Sequence, residues 1–327
     1  MNCDRGMTVT SGKRGVVSVG GNSLVREGQE GAIPEQLENA RETSKEIAKI
    51  VANGWRIVMT HGNGPQVGNI LLRSDLARQY GKLPVWPIDI CDADTQGGIG
   101  YMLQLGLRNE LDRLGIQTPV VSLVTLVLVD QDDPAFQNPT KPIGPFFSKE
   151  KAEEYRQRDG WNIVEDSKRG YRRVVASPKP KKIIELKSIK SLVELGHIVI
   201  AVGGGGIPVV QDEKGFLRGV EAVIDKDYSS SLLATALDAD LFLMSTSVDQ
   251  VALNYKKSNQ TNLRHVSLQE ARSYLKEGHF PPGSMGPKIQ AIVQYLENGG
   301  NEAIVTSPQR IMQALAGDSG TRFTVNH

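Results

Sequence analysis

Three glycine-rich turns each follow a short apolar segment rich in β-branched residues. The turns occupy residues 20–22, 62–64 and 203–206. After the first turn, residues 34–52 carry apolar side chains at helical spacing, as expected for an amphipathic helix. Repetition of this strand–turn–helix order predicts an α/β fold, with a mostly parallel sheet covered by helices on both faces. Because ligands bind at the carboxyl ends of the strands in such sheets, the turns indicate a binding edge.

The chain length and one break in the pattern suggest how the chain is divided. At 327 residues a single core begins to split, so we predict two lobes, residues 15–224 and 225–327. Residues 130–180 are charged, contain several prolines and lack a long apolar strand. A structureless connection of that length is uncommon inside a compact domain, so it is predicted to form a protruding lid subdomain. Residues 1–14 are polar and are predicted to be a disordered extension.

Other segments have weaker but definite patterns. Residues 96–114 and 181–195 are predicted to be helices. Residues 118–129, rich in valine, leucine and threonine, are predicted to be one long strand. Residues 212–215 are predicted to form the turn of a β-hairpin.

The charge balance and cysteine content limit the partners and the compartment. The chain has 38 Lys and Arg against 37 Asp and Glu, so broad binding to nucleic acid or to a membrane surface is not expected. No apolar run approaches the roughly 20 residues that span a bilayer. The amino-terminal residues lack the apolar core of a secretion signal, and two distant cysteines give no disulfide framework. A cytoplasmic location is expected.

The glycine turns have the properties of an anion-binding site. Without a Cβ, glycine lets backbone N–H groups approach a ligand closely, and a helix N-terminus adds donors and partial positive charge. A single such turn is as readily explained by tight chain reversal, but three at strand ends favour a phosphate-binding cleft. The candidate residues are Gly20, Gly21, Asn22, Gly62, Asn63, Gly64, Gly204 and Gly205.

Three lysines beside turns form a second set of candidates. Lys141 lies in a proline-rich segment, Lys226 stands between Asp225 and Asp227, and Lys288 lies at a predicted helix start. Most lysines are solvated surface groups, but a cation at a helix N-terminus opposes the helix dipole and needs another reason, such as an anionic ligand. The neighbouring carboxylates would hold the Lys226 ammonium in position and keep it protonated.

Several common motifs are absent from the sequence. It has no Walker-type phosphate loop, no dinucleotide-binding glycine motif between a strand and a helix, and no protein-kinase signature set. The missing dinucleotide motif disfavours an oxidoreductase. Residues 317–320 match a serine-protease tetrapeptide, but a structural turn near the end of an α/β chain is the better interpretation.

Residues 61–68, His-Gly-Asn-Gly-Pro-Gln-Val-Gly, resemble the signature of carbamate kinases, a branch of the amino acid kinase superfamily. The resemblance extends from about residue 15 to residue 322 and includes long blocks at 133–145 and 220–227. It implies an open αβα sandwich of the amino acid kinase type, with an amino-terminal carbamate lobe, a carboxyl-terminal nucleotide lobe and the lid. It also implies a homodimer.

The resemblance further implies reversible phosphoryl transfer between ATP and carbamate, giving ADP and carbamoyl phosphate. Carbamate is already an anion, so positioning and charge neutralisation suffice without a general base. The implied catalytic residues are Lys141, Lys226, Asp227 and Lys288. The implied nucleotide contacts are Thr246, Ser247, Tyr255, Met285 and Gly286. Magnesium is expected with ATP or ADP, held by phosphate oxygens and water rather than by a protein cage.

The sequence departs from the usual family pattern at several positions, and two of them bear on the nucleotide and acceptor sites. Ser247 stands where the family usually has aspartate, and Asp92 stands where it usually has glycine. These departures leave two alternatives open: a kinase for another small acid, or a weakly active or nucleotide-sensing paralogue. ATP formation during the catabolism of arginine or related nitrogen compounds is the family expectation.

Overall fold

The computed structural model describes residues 12–21, 24–26, 28–166, 169–281 and 283–326. Its strands, numbered along the chain, are Arg14–Val19 (β1), Arg56–His61 (β2), Val120–Ser122 (β3), Leu126–Val129 (β4), Lys141–Phe147 (β5), Ile163–Glu165 (β6), Tyr171–Val175 (β7), Pro180–Ile183 (β8), Ile198–Ile200 (β9), Ile207–Gln211 (β10), Leu217–Gly219 (β11), Leu241–Ser245 (β12), Ala252–Leu253 (β13), Thr261–Asn262 (β14), His265–Ser267 (β15), Glu302–Thr306 (β16) and Thr321–Thr324 (β17). Its α-helices are Ile33–Ala52 (α1), Gly64–Gly81 (α2), Ile88–Arg113 (α3), Lys149–Asp159 (α4), Leu186–Glu194 (α5), Lys226–Ala236 (α6), Leu268–Lys276 (α7), Met285–Glu297 (α8) and Ile311–Ala316 (α9).

The central sheet has eight strands in the order β15-β17-β16-β12-β1-β2-β9-β3. Neighbouring strands are parallel except β16 and β17, which run in opposite directions. β1 lies between β12 and β2, so strands of both predicted lobes belong to one continuous sheet. The division at residue 224 stays a prediction, as does the extension at residues 1–14, most of which lies outside the described residues.

Two apolar cores lie on opposite faces of this sheet. Along β1, Val16 belongs to one core, and Val17 and Val19 belong to the other. Residues of α5, α6, α7 and α8 complete the first core, and residues of α1, α3 and α9 complete the second. The predicted αβα sandwich with a mostly parallel sheet is confirmed.

The prediction of one strand over residues 118–129 is wrong. That segment forms β3 of the central sheet and β4 of a second sheet, ordered β11-β10-β4-β8. Between them, the Thr125 hydroxyl donates to the Leu123 carbonyl at 2.8 Å and accepts from the Val202 N–H at 3.1 Å. These bonds replace ladder pairing and let the chain pass from one sheet to the other.

The helix predicted over residues 181–195 is wrong in its first part. Pro180 opens strand β8, which pairs antiparallel with β4, and helix α5 begins only at Leu186. Lys181 and Lys182 are exposed, whereas Ile183 is buried in the core.

Helix α3 is longer than the segment 96–114 that the sequence predicted. It begins at Ile88, because Pro87 occupies the N-cap position and the first turn buries Ile88 and Cys91. The predicted hairpin is confirmed, since β10 and β11 pair antiparallel on either side of residues 212–215.

The inserted segment forms a small sheet, β5-β7-β6, with helix α4 packed on it. Its core contains Ala152, Tyr155 and Ile163, and the Tyr155 ring stacks on Trp161 with centroids 4.4 Å apart. We call this unit, residues 141–175, the lid. That it moves as a lid stays a prediction.

The lid contacts the body of the protein backbone to backbone. A Cβ built on Gly68 of α2 would lie only 1.9 Å from the Cα of Gly144 on β5. Lys141 lies three residues before Gly144 on the same strand, so this glycine contact positions a candidate catalytic residue.

Candidate active site

Lys226, Asp227 and Lys288, three of the four residues that the resemblance implies are catalytic, form one ion cluster. The Asp227 carboxylate accepts from Lys226 Nζ at 2.5 Å through one oxygen and from Lys288 Nζ at 2.7 Å through the other. Lys226 Nζ also donates to Ser18 Oγ at 2.8 Å. The cluster lies between the first residues of α6, capped by Asp225, and the first turn of α8.

Burial and mutual charge set the ionisation of this cluster. Burial alone raises the pKa of the Asp227 carboxyl, but the charges of Lys226 and Lys288 outweigh it and hold that pKa below its usual value. Burial lowers the pKa of Lys226, and Asp227 offsets this only in part. For Lys288, burial is outweighed by Asp227, which raises the pKa of that ammonium. The group therefore presents two cations held by one carboxylate.

Lys141 reaches the same region from the lid. Its Nζ donates to Asp225 Oδ2 at 2.8 Å, and Asp225 Oδ1 caps α6 by accepting from the Asp227 N–H at 3.0 Å. Burial tends to raise the pKa of the Asp225 carboxyl, but the Lys141 charge outweighs it and lowers that pKa. A salt bridge thus joins the lid to the helix that begins with Lys226.

The first two glycine turns meet beside Lys226. A Cβ on Gly62 would lie 3.1 Å from Gly21 N and 3.4 Å from Lys226 Cδ. The Gly20 N–H donates to the Ser245 carbonyl at 3.2 Å, and the Gly62 N–H donates to the Val19 carbonyl at 3.1 Å. These two amides are used by the sheet, so Gly21 and Gly64 remain the better candidates for ligand contact. Asn22 lies outside the described residues.

The third turn packs behind the second. Gly203, Gly204 and Gly205 are buried, and a Cβ on Gly204 would lie 2.3 Å from the amide nitrogen of Asn63. The Gly205 carbonyl accepts from Ser229 Oγ of α6 at 2.7 Å. The geometry gives these glycines a supporting role, while direct phosphate binding by Gly204 and Gly205 stays a prediction.

His61 is fully enclosed in this packing. Its Nδ1 lies 3.2 Å from the Gly62 carbonyl, and a Cβ on Gly203 would lie 2.3 Å from its Nε2. Burial lowers the pKa of His61 to about 4, so the ring is neutral at physiological pH. A packing role fits this setting better than acid–base catalysis.

Asn63 and Asp92 form a buried polar pair next to the second turn. Asn63 Nδ2 donates to Asp92 Oδ1 at 2.8 Å and to Thr95 Oγ1 at 2.9 Å. Asp92 is 1% exposed, and its buried Oδ2 has no hydrogen-bond partner among the described residues. Burial raises the pKa of Asp92 well above its usual value; nearby Asp89 adds to this, and Asn63 and Lys141 oppose it.

The raised pKa of Asp92 has a consequence for stability. Between the unfolded and folded pKa values the folded chain binds the extra proton, so the contribution of Asp92 to the free energy of unfolding falls as pH rises. In Asp92→Asn the side chain does not ionise, so this pH-dependent decrease in the free energy of unfolding is absent. The difference between the melting temperatures of the variant and the parent is therefore expected to become more positive from about pH 5 to about pH 8.

Thermal unfolding across that pH range measures the effect. Asp94→Asn is the matched control, because Asp94 lies on the same helix and is exposed. Parallel melting curves for the parent and Asp92→Asn at all pH values would contradict the assignment.

The predicted nucleotide residues lie in three places. Met285 and Gly286 begin α8 and so lie on the element that carries Lys288, and Thr246 and Ser247 follow β12 at the carboxyl edge of the sheet. Tyr255 is 47% exposed and has the Lys256 ammonium 5.5 Å from its ring centroid. No contact in the described part of the chain joins it to the lysine cluster.

Asp249, two residues after Ser247, is engaged by other residues. Its carboxylate accepts from Ser307 Oγ and lies 3.7 Å from Arg310 Nε. Ser247 itself is exposed. The effect of this departure on nucleotide binding stays a prediction.

Two residues of the site were not among the sequence candidates. Ser18 was missed, although a lone hydroxyl in an otherwise apolar strand, just before a glycine turn, was a usable signal. Asp92 was noted only as a departure from the family, because its partner Asn63 is 29 residues away in the chain.

A separate cavity of about 480 Å³ lies between the lid, α2 and the start of α3. The Arg173 guanidinium lines it and stacks on the Trp161 ring at 4.3 Å. Within the described ranges, no group of three or more His, Cys, Asp or Glu side chains is placed to hold a metal ion, and no helix is long and apolar enough to cross a membrane.

The family model for the amino acid kinase family matches residues 13–307. The chain belongs to the amino acid kinase family. The matched range includes Lys226, Lys288 and the lid. It confirms the family recognised from residues 61–68.

Individual relatives narrow the assignment to the carbamate kinase branch. The chain is 48% identical to carbamate kinase of Pyrococcus horikoshii, covering 95% of this chain and 99% of that protein. It is 46% identical to a carbamate kinase-like protein of Escherichia coli, covering 94% and 98%. The structure of Giardia lamblia carbamate kinase bound to AMP-PNP superposes with a TM-score of 0.89 at 39% identity, covering 96% and 99%.

Proposed function

We propose that this amino acid kinase catalyses reversible phosphoryl transfer between ATP and carbamate, giving ADP and carbamoyl phosphate. The observation that carries the proposal is the Asp227 carboxylate bridging Lys226 and Lys288 beside the glycine turns. Phosphoryl transfer between two anions depends on preorganised positive charge at the point where they meet. The sequence identity to carbamate kinases supports carbamate as the acceptor.

Each lysine enters the proposed site from a different element. Lys226 lies beside Gly62 and so faces the carbamate and phosphate side. Lys288 lies on α8, next to the proposed nucleotide contacts Met285 and Gly286. Lys141 comes from the lid, so closure of the lid would complete the charge around the phosphoryl group.

A magnesium ion accompanying ATP or ADP is part of the proposal. The carboxylates at the lysine cluster, Asp225 and Asp227, are already paired with lysines, which fits an ion held mainly by phosphate oxygens and water. When bound, it would help to neutralise the nucleotide phosphates. In this arrangement the protein positions the transferring group between Lys226 and Lys288.

The lid contact gives a direct test of how Lys141 is positioned. Gly68→Ala is expected to push β5 away from α2 and to lower turnover about tenfold or more, since small misplacement of a catalytic group is costly. Overpacking is also expected to cost about 1–3 kcal/mol of stability. Steady-state kinetics and thermal unfolding measure both effects.

Gly81→Ala on the same helix serves as the control, because a Cβ there would meet only Leu83 Cγ at 3.9 Å. Parent-level turnover in Gly68→Ala would show that the contact does not position Lys141.

A homodimer is also proposed, formed along α3 and the edge strand β3. Gly100 of α3 lies against Ser122 of β3, and this region exposes Tyr101 (62%), Leu105 (40%) and Val124 (55%). A second copy would cover these apolar side chains and the open strand edge.

Tyr101→Asp is expected to shift the protein from dimer to monomer, because it places a charge within the apolar patch. Light scattering coupled to size-exclusion chromatography measures the mass. Tyr80→Asp, at an exposed position on α2, is the control. A parent that is monomeric, or a Tyr101→Asp variant that stays dimeric, would contradict the proposed surface.

The proposed physiological role is ATP formation from carbamoyl phosphate in the cytoplasm, during breakdown of arginine or related nitrogen compounds. Its support is the kinship with carbamate kinases and the sequence pattern described above.

A coupled assay of ATP formation from ADP and carbamoyl phosphate tests the reaction. Turnover typical of metabolic enzymes, on the order of 10 s⁻¹ or more, is expected. Nucleotide binding without ATP formation would favour the sensing paralogue, and faster turnover with another acyl phosphate would favour a different small acid.

A further inference from the structure

Asn63 occupies the N-cap position of helix α2 but does not cap it. An asparagine at this position usually accepts a hydrogen bond from a first-turn N–H through its side-chain oxygen. Here the side chain makes no such bond. The first-turn N–H groups of α2 are therefore without the side-chain acceptor that an asparagine normally provides.

The Asn63 side chain is instead held by helix α3. Its amide nitrogen donates one hydrogen to Asp92 Oδ1 at 2.8 Å and the other to Thr95 Oγ1 at 2.9 Å. The Thr95 hydroxyl donates its hydrogen to the Asp92 backbone carbonyl at 2.7 Å, so the hydroxyl oxygen is the acceptor in its bond with Asn63. Two acceptors thus define which end of the amide is nitrogen.

The third glycine turn locks this orientation. A Cβ on Gly204 would lie 2.3 Å from Asn63 Nδ2 and 3.0 Å from Asn63 Oδ1, so backbone atoms pack directly against the amide. In the described part of the chain, no group donates a hydrogen bond to Asn63 Oδ1. Asn63 Oδ1 is therefore available to accept a hydrogen bond from a ligand at the N-terminus of α2.

Asp92 is a costly residue at this position. Its side chain is almost completely buried, and no residue within the described ranges forms a hydrogen bond with Oδ2. A buried carboxyl with an unsatisfied oxygen destabilises a fold unless something offsets it. Its described side-chain hydrogen bond is the one that orients Asn63.

We propose that Asp92 is a positioning residue for acceptor recognition, through the orientation it imposes on Asn63. The open first turn of α2 receives the anionic oxygens of the acyl phosphate, and Asn63 Oδ1 accepts from its amino group. The site thereby selects an amino-substituted acyl phosphate over one that carries a methyl group in its place. This inference rests on the proposed function.

The test compares carbamoyl phosphate with acetyl phosphate as phosphoryl donors to ADP. In each reaction the phosphoryl group passes to ADP and the carboxylate leaves, so only the amino and methyl substituents differ. The measured quantity is the ratio of kcat/KM for the two donors. That ratio does not depend on the fraction of enzyme that is active.

Asp92→Leu keeps the branching at Cγ but removes the acceptor, and it is expected to lower the ratio about tenfold or more, mainly through KM for carbamoyl phosphate. Asp92→Asn can still accept from Asn63 and is expected to retain most of the ratio. Asp94→Leu, on the exposed side of α3, is the matched control and is expected to keep the parent ratio.

An unchanged ratio in Asp92→Leu would overturn the assignment. If that variant fails to fold, Thr95→Val removes the second acceptor and must lower the ratio in the same direction; a parent ratio there overturns it equally. A parent that forms no ATP from carbamoyl phosphate would remove the proposed function and this inference together, whereas an active parent with unchanged variants removes the inference alone.

Discussion

Replacing Lys226 with alanine is expected to lower turnover by about 10²–10³-fold while leaving nucleotide affinity nearly unchanged. Lys226 is held by Asp227 and Ser18, so its ammonium is fixed before any substrate arrives. A preorganised charge of this kind acts mainly on the transition state, where negative charge is concentrated on the transferring group. The loss should therefore appear in kcat rather than in the dissociation constant for ADP.

Steady-state kinetics and calorimetric titration with ADP separate the two effects. Lys187→Ala, which removes an exposed lysine from α5, controls for a general change in charge. Turnover of Lys226→Ala within a few-fold of the parent would remove Lys226 from the catalytic set. A large loss of ADP affinity would instead place it in nucleotide binding.

Asp227→Asn is expected to lower the free energy of unfolding by about 3–5 kcal/mol, as well as turnover. The asparagine keeps the shape of the side chain but removes the carboxylate charge that, among the described residues, contacts both Lys226 and Lys288. Asp227 and the two lysines are between 5% and 16% exposed, so water replaces little of the lost interaction. The two ammonium groups would then keep only the weaker influence of the Asp225 charge.

Urea-induced unfolding measures this loss, with Asp132→Asn at an exposed position as the control. Saturating ADP is expected to stabilise the Asp227 variant more than it stabilises the parent, because phosphate groups would supply the missing negative charge. A loss of less than about 1 kcal/mol would show that the cluster is solvated in solution and does not depend on its carboxylate.

Local features of the sequence predicted the site better than its long-range features did. Glycine turns and lysines beside helix starts depend on a few neighbouring residues, so turns and charges could be placed without tertiary information. The contact of Lys226 with Ser18 joins residues 208 positions apart. Such a pairing depends on which strands become neighbours, and no local periodicity contains that information.

The errors in secondary structure have the same origin. Residues 118–129 are rich in valine, leucine and threonine along most of their length, and their pattern does not show that the segment is divided between two sheets. The break comes from Thr125, which bonds to Val202 across 77 positions. At residues 181–195, pairing of β8 with β4 overrode a plausible helical pattern in its first residues.

The glycine contact between α2 and the lid has a mechanical consequence. Gly68 and Gly144 pack backbone against backbone, so β5 has no side chain at this point that could yield if the lid shifted. Lys141 lies three residues along the same strand, whereas helix α4 lies beyond the end of the strand. Any displacement of the lid relative to α2 would therefore be transmitted to the Lys141 backbone and to the salt bridge that Lys141 makes with Asp225.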